Sequence, residues 1–240
     1  MESEFLYLPT IYVSMNKAFI VVLSFFCITN TQAQINEIGV FVGGSNFIGD
    51  LGATTYVNPN SPAVGLLYKW NKTPRHSWRF SFIQSKLTAK DIESDDKSRQ
   101  VRAYEFENTI KEFSGGIEFN FFDFNLNNSF DRKVTSYVFT GLNISFYDSL
   151  FFITNQANID SKEKTLALPI ILGVKSNLTS NFVIGLEVGT RVTFADDIDG
   201  SLPKNNLGTP FGNIYNNDWY VFSGLTLTYT FGKKPCFCAE

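Results

Sequence analysis

The chain has 240 residues, 44% hydrophobic and 16% aromatic, with 25 Phe, one His and a formal net charge of −3. That weak acidic balance argues against nucleic acid as a partner, and a total of three cysteines excludes a disulfide-rich small domain. Beyond an N-terminal leader roughly 200 residues remain, which suits one domain.

Residues 1–33 read as a signal peptide. Lys17 supplies a basic start, residues 18–28 form an apolar run of h-region length, and Thr31-Gln32-Ala33 ends on a small residue, which places the mature start at Gln34. Glu2 and Glu4 fit poorly ahead of such a run, so Met15 is an alternative start. Cys27 invites lipidation, but Phe26 is large where a small residue is wanted, and cleavage after Ala33 removes Cys27. No second apolar run is long enough for a helical span.

From Gln34 onward, period-two alternation recurs about eight times. Ile38, Val40 and Val42 alternate with Gly39, Phe41 and Gly43, and Val64, Leu66, Tyr68 and Trp70 with Gly65, Leu67 and Lys69. Trp78, Phe80 and Phe82 follow, opposite Ser77, Arg79 and Ser81, and the pattern then blurs at Ile83-Gln84, where a bulge is one possible cause. Residues 102–111 fit either a short helix or the extended lead into a fourth strand, which sets Phe113, Ile117, Phe119 and Phe121 against Glu112, Ser114, Gly116, Glu118 and Asn120. Leu142, Ile144 and Phe146 mark the fifth strand, and Leu166, Leu168, Ile170, Leu172 and Val174 the sixth. In the seventh, Phe182, Ile184, Leu186, Val188 and Val192 oppose Gly185, Glu187, Gly189 and Arg191. The eighth runs from Trp219 to Phe231, with Leu225, Leu227, Tyr229 and Phe231 on one face and Gly224, Thr226, Thr228 and Thr230 on the other.

Short connections are expected at 71–76, 125–133 and 176–181, and long ones near 44–62, 88–103, 148–164 and 195–218. Short periplasmic turns alternating with long external loops are the pattern of an outer-membrane barrel, and an even strand count leaves both termini in the periplasm. Tyr68, Trp70, Trp78 and Trp219 stand where aromatic girdles belong. A soluble sandwich or lipocalin-like barrel also alternates, but its polar face tends to carry many Lys and Glu. Here that face is mostly Gly, Ser, Thr and Asn, which suits the interior of a narrow barrel. The expected fold is therefore all-β, an eight-stranded antiparallel up-and-down transmembrane barrel over 34–232, followed by a periplasmic tail at 233–240.

Arg79, Glu112, Glu118, Glu187 and Arg191 fall on the inward face by parity and should pair there, because an unpaired buried charge is costly. A structural salt-bridge network is expected over a gated polar channel. Support for catalysis is thin. His76 sits in a short turn beside Pro74 and Arg75, without the carboxylate or serine companions a hydrolytic site needs. Asp196, Asp197 and Asp199 with Gly200 loosely resemble a calcium loop but lack the downstream bidentate acid, so an ordinary acidic external loop is expected. Gly43-Gly44-Ser45-Asn46 and Gly49-Asp50 have no following helix to hold a phosphate and read as turns. Neither a cofactor nor a metal is expected. Cys236 and Cys238 are too close for an unstrained mutual disulfide and too few to complete a zinc site. An intermolecular disulfide is the simpler expectation.

These stretches together resemble the PorG family of small outer-membrane barrels of Bacteroidetes. The resemblance is carried by Glu37 to Gly52, Tyr56-Val57-Asn58-Pro59-Asn60, Tyr68-Lys69-Trp70-Asn71 and Pro74-Arg75-His76-Ser77-Trp78-Arg79-Phe80. Asn217-Asp218-Trp219-Tyr220 and the run from Leu227 to Cys238 complete it. The resemblance implies a non-enzymatic component of the type IX protein secretion system, which in gliding species also serves motility. It also implies association with a periplasmic ring built from a PorK/GldK-like lipoprotein and a PorN/GldN-like partner. Lys233, Lys234, Pro235, Cys236, Phe237 and Cys238 are the expected contact, supported by Arg75 and His76, with one cysteine bridging to a ring lipoprotein and outer-membrane lipid around the barrel. An independent small porin or a surface adhesin acting through the external loops is the alternative.

Overall fold

The computed structural model describes residues 35–126, 132–203, 210–213 and 216–232; the expected leader at 1–33 and tail at 233–240 lie outside the described residues. Eight strands follow one another: β1 (Ile35–Ile48), β2 (Ser61–Asn71), β3 (His76–Lys90), β4 (Glu105–Asn120), β5 (Val134–Ile153), β6 (Gln156–Asn177), β7 (Phe182–Thr193) and β8 (Trp219–Phe231). Each pairs with the next, and β8 returns antiparallel to β1 in the register Ile38↔Tyr229 and Phe47↔Tyr220, so the sheet closes as a barrel. Closure leaves no sheet edge with unpaired N–H and C=O groups, the condition for putting strands into lipid. β8 covers the residues expected of the eighth segment.

The faces divide as the alternation requires. Ile38, Val40, Leu66, Phe80, Phe113, Leu142, Ile170, Leu186 and Leu227 point outward and are exposed, while Glu37, Lys69, Arg79, Glu112, Asn143 and Glu187 are buried inside. This inversion of the soluble pattern, apolar outside and charged within, is the arrangement of a barrel surrounded by hydrocarbon. Among the described residues no helix is long and apolar enough to cross a membrane; strands do the crossing. Trp70 and Trp78 face each other across β2–β3 at the end where the short turns lie.

Three local expectations are corrected and one open alternative is decided. The blur at Ile83-Gln84 is not a bulge, because β3 keeps unbroken register with both β2 and β4. Parity persists while the chemistry reverses: Ile83, Leu87 and Ala89 point inward and Gln84 and Lys86 outward, because the strand has left the lipid and entered water. Gly43, Gly44, Ser45 and Asn46 belong to β1 and form no turn; a Cβ on Gly43 would lie 2.7 Å from the Gly224 Cα of β8, so glycine permits close strand approach there. In 102–111 the extended alternative holds: helix α1 (Lys97–Arg102) ends on its first residue, and β4 begins at Glu105. Finally, 148–164 is no loop. β5 and β6 continue to Ile153 and from Gln156, with a turn at Thr154-Asn155, where Thr154 has φ 58°. The alternation of long and short connections therefore breaks at this hairpin.

At 20 and 22 residues, β5 and β6 greatly exceed the roughly 10 residues needed to span a bilayer. Above the Lys111↔Phe146 pair, β4 and β5 part. The Asn108 side chain bridges the split by donating to the Asp148 carbonyl at 2.7 Å and accepting from the Asp148 N–H at 3.2 Å. Around the first external loop, Asn46 on the outer wall donates to the Thr55 carbonyl at 3.0 Å and accepts from the Asn58 N–H at 3.3 Å. Residues 55–58 of that loop consequently lie against the outside of the barrel, while Leu51 of the same loop is buried in the core at its mouth.

Candidate functional site

The lumen is built from inward positions of successive strands. Nearest the short turns, Glu37 accepts from Asn71 and from Thr228, both at 2.7 Å. One layer further in, the Glu118 carboxylate receives Lys69 at 2.8 Å and Lys175 at 2.6 Å, with Arg79 at 3.5 Å. Arg79 also donates twice to Glu187, both bonds at 2.8 Å, and Tyr137 donates to the same carboxylate at 2.6 Å. The fork-to-fork geometry of the arginine is the strongest arrangement available to a charged pair. Toward the loops, Arg191 reaches Glu112 at 2.9 Å, and Asn143 and Tyr220 donate to that carboxylate at 2.7 and 2.9 Å.

Lys69, Arg79, Lys175 and Arg191 thus oppose Glu37, Glu112, Glu118 and Glu187, and the charges of this inner set cancel. Arg79, Glu112, Glu118, Glu187 and Arg191 are all buried inside and paired. Parity also pointed to Glu37 and Lys69, which share faces with Gly39 and Gly65, and to Lys175, which follows the outward Val174; these were missed among the inward charges.

The lumen is filled. Above the Glu112 layer, Phe41, Phe47, Leu67, Ile83, Ile110 and Phe222 make an apolar plug. At the opposite mouth the β4–β5 connection folds inward, burying Phe124 and Leu126 against Ile35 and Val183. Lys175 lies 5.0 Å from the Phe124 ring. At this mouth a 20 Å³ pocket lies beside Glu37 and Asn120. Planar bilayers containing the protein are expected to show no steady ohmic conductance; stable channel steps would show that the plug opens.

On the short-turn face, Arg75 pairs with Asp123 and is exposed, and the His76 Nδ1 lies 3.3 Å from the Thr73 hydroxyl. The turn is ordered by its own polar groups: the Thr73 hydroxyl accepts from the His76 N–H at 2.9 Å. A 200 Å³ cleft beside Ile35, Asn181 and Gly232 opens on the same face, where β8 ends. Lys233, Lys234, Pro235, Cys236, Phe237 and Cys238 lie outside the described residues.

At the loop end, the acidic segment is not an ordinary exposed loop. Asp197, Asp199 and Asp218 are buried. Asp199 accepts from the Ser201 N–H at 2.9 Å and the Asp50 N–H at 3.2 Å, and Asp218 accepts from the Ile198 N–H at 3.0 Å. Burial, reinforced by the charges of Asp199, Asp50 and Asp197, pushes Asp196 up to about 7. Burial likewise pushes Asp199 up to about 6, with Asp50 adding to it, and holds Asp218 well above the usual carboxylate range. Among the described residues no group of His, Cys, Asp and Glu is arranged to hold a metal ion. Nearby, the buried Asp91 is paired with Arg102 at 2.6 Å, tying α1 to the short 3-10 turn Asp91–Glu93.

Solved barrels of modest likeness include the attachment invasion locus protein Ail of Yersinia pestis, determined with sucrose octasulfate, at 14% identity and TM-score 0.44 over 83% of this chain and 100% of that one. The N-terminal barrel domain of Pseudomonas aeruginosa OprF is 12% identical, with TM-score 0.44 over 83% of this chain and 98% of its own. Outer membrane protein OprG of Pseudomonas aeruginosa is 8% identical, with TM-score 0.40 over 84% and 97%. Their ligands and roles stay with those proteins. No curated protein matches the chain. Residues 16–240 match one family model, and the protein with this filled, charge-balanced barrel is a member of the family described as Domain of unknown function (DUF6089).

Proposed function

We propose that this barrel is a non-enzymatic outer-membrane component of the type IX protein secretion system in a Gram-negative, Bacteroidetes-like cell. In this reading it ties a periplasmic ring of PorK/GldK-like and PorN/GldN-like proteins to the membrane through its short-turn face. The observation that carries the reading is the filled lumen: a barrel whose interior is packed with paired charges and apolar side chains serves as an anchor more readily than as a pore. β1 begins and β8 ends at the short-turn face, so the segment bearing Cys236 and Cys238 continues from the side assigned here to the periplasm. The resemblance of its sequence strings to the PorG family supports the identity of the ring.

The test is a non-reducing gel of native membranes. A high-mass species containing this protein should collapse with reductant and disappear when Cys236→Ser and Cys238→Ser are combined. Purification in mild detergent should then recover fewer ring proteins with the double variant. Unchanged complexes in that variant would remove the disulfide, and recovery of no ring protein by the wild type would remove the anchor.

A further inference from the structure

We propose that the outer wall of β4, β5 and β6, at the loop-side edge of the apolar belt, is a binding site for a phosphorylated lipid, with its headgroup on Lys111 and Lys164 and an acyl chain lying in the groove over Gly115. Register places Lys111 opposite Phe146 on one side and Lys164 opposite the same Phe146 on the other. The two lysines therefore flank one aromatic ring from neighbouring strands, with backbones about 10 Å apart by strand spacing. Flexible stems let two ammonium groups at that separation converge on one phosphate between them. Lys162 stands two residues further along β6, and all three lysines are exposed.

Their lack of partners sets them apart. On the adjoining facet, Lys86 is paired with Glu107 and Lys90 with Glu105. Lys111, Lys162 and Lys164 form no ion pair among the described residues. The carboxylates around them are Asp148, in register with Lys162, and Glu163, which the Ser161 hydroxyl contacts at 3.0 Å. Together with Lys111, Lys164 and Phe146 these two acids line a 440 Å³ depression at the level where β4 and β5 part. The lysines outnumber the acids, and the Lys111–Phe146–Lys164 row itself holds no acid.

The apolar half of the site lies directly below. Phe113, two residues along β4 from Lys111, has its ring centroid 6.3 Å from that of Phe146. It forms one wall of a 590 Å³ groove with Phe80, Phe82, Leu142 and Ile144, floored at Gly115. Gly115 leaves room there: a Cβ would already meet the Phe80 ring at 3.2 Å. A cationic row at the water boundary continuous with an apolar trough in the belt matches an amphiphile with an anionic head. Free phosphate would use only the upper half, and a zwitterionic lipid would gain little from the unpaired charges. This inference concerns the outer wall and does not depend on the tail or on any ring partner.

The probe is bisphosphorylated lipid A, titrated into the full-length folded barrel in a neutral maltoside detergent and counted by native mass spectrometry. Phosphatidylcholine and inorganic phosphate serve as comparisons. Lipid A should be retained in preference to phosphatidylcholine, and combining Lys111→Gln with Lys164→Gln should weaken retention at least about tenfold. Gly115→Leu, which fills the trough and leaves both lysines, should weaken it as well. Unfolded and folded barrels are separated by their gel mobility before heating, so a misfolded variant is replaced by the single lysine changes. Equal retention of the two lipids, or wild-type retention by the lysine variant, overturns the site. Complete displacement by inorganic phosphate with no effect of Gly115→Leu overturns the lipid as occupant.

Discussion

Glu118→Gln is expected to lower the stability of the barrel by about 3–5 kcal/mol, the cost of breaking a buried ion pair by removing one partner. Glu118 is fully buried, as are Lys69, Lys175 and Arg79, which converge on it. Arg79 keeps Glu187, but both buried lysines lose the carboxylate they share. The same reasoning says which second change should help. Adding Lys69→Met removes one stranded cation while preserving much of the volume, so the double variant should recover part of the loss. Urea titration of the detergent-folded barrel, followed by the mobility shift of the folded band, measures both. A single variant that unfolds with the wild type would show that water reaches this layer.

Raising the pH from 5 to 8 is expected to loosen the loop-end cap. Asp199 has an ordinary value of 3.8 and is held at about 6 by burial. A folded-state value above the unfolded one means that the folded cap binds protons more tightly. Stability therefore falls as pH rises through the interval between the two values, and the loss is complete above the higher one. For the fully buried Asp199 the whole interval amounts to about 3 kcal/mol, of which about 1.4 kcal/mol is lost between pH 5 and pH 8. Asp196, raised to about 7, adds in the same direction but less than its shift suggests, because it is partly exposed and screened. The charges facing the cluster are Asp50, Asp197, Asp218 and, across the first loop, Arg99 and Arg102, whose guanidinium groups donate to the Gly49, Gly52 and Asp50 carbonyls. Hydrogen-exchange protection factors of the Ile198 and Ser201 amides, corrected for the intrinsic pH dependence of exchange, should drop by up to about a hundredfold. Pairing within the transmembrane layers should show no such trend. Equal protection at both pH values would mean that these carboxylates are solvated.

Strand number, strand faces and inward charges were legible because a barrel wall repeats every two residues, and lipid on one side makes the period visible. Arg79, Glu112, Glu118, Glu187 and Arg191 could be read as inward charges from their neighbours alone. Pairing between strands distant in sequence could not. Arg79 and Glu187 lie on strands that are not adjacent, and they meet only because the barrel is narrow and closed. Legibility also ended where the lipid ended. Above the belt, Ile83 and Leu87 point inward and Gln84 and Lys86 outward, so a pattern built on apolar-outward faces breaks down although the strand continues. The same change of solvent disguised the β5–β6 hairpin as a loop: Asp148, Lys162 and Lys164 interrupt the apolar alternation there, and its turn is only Thr154-Asn155.

The amino-acid sequence by itself determined that this protein is an eight-stranded barrel with an apolar exterior and a polar interior, because both follow from side-chain period and solvent. Only the tertiary structure decided that the lumen is filled, that the loop-end carboxylates are buried, and that Lys111 and Lys164 flank one phenylalanine. Those facts depend on register, barrel radius and the folding back of connections, which bring together residues whose separation in the chain carries no local signal.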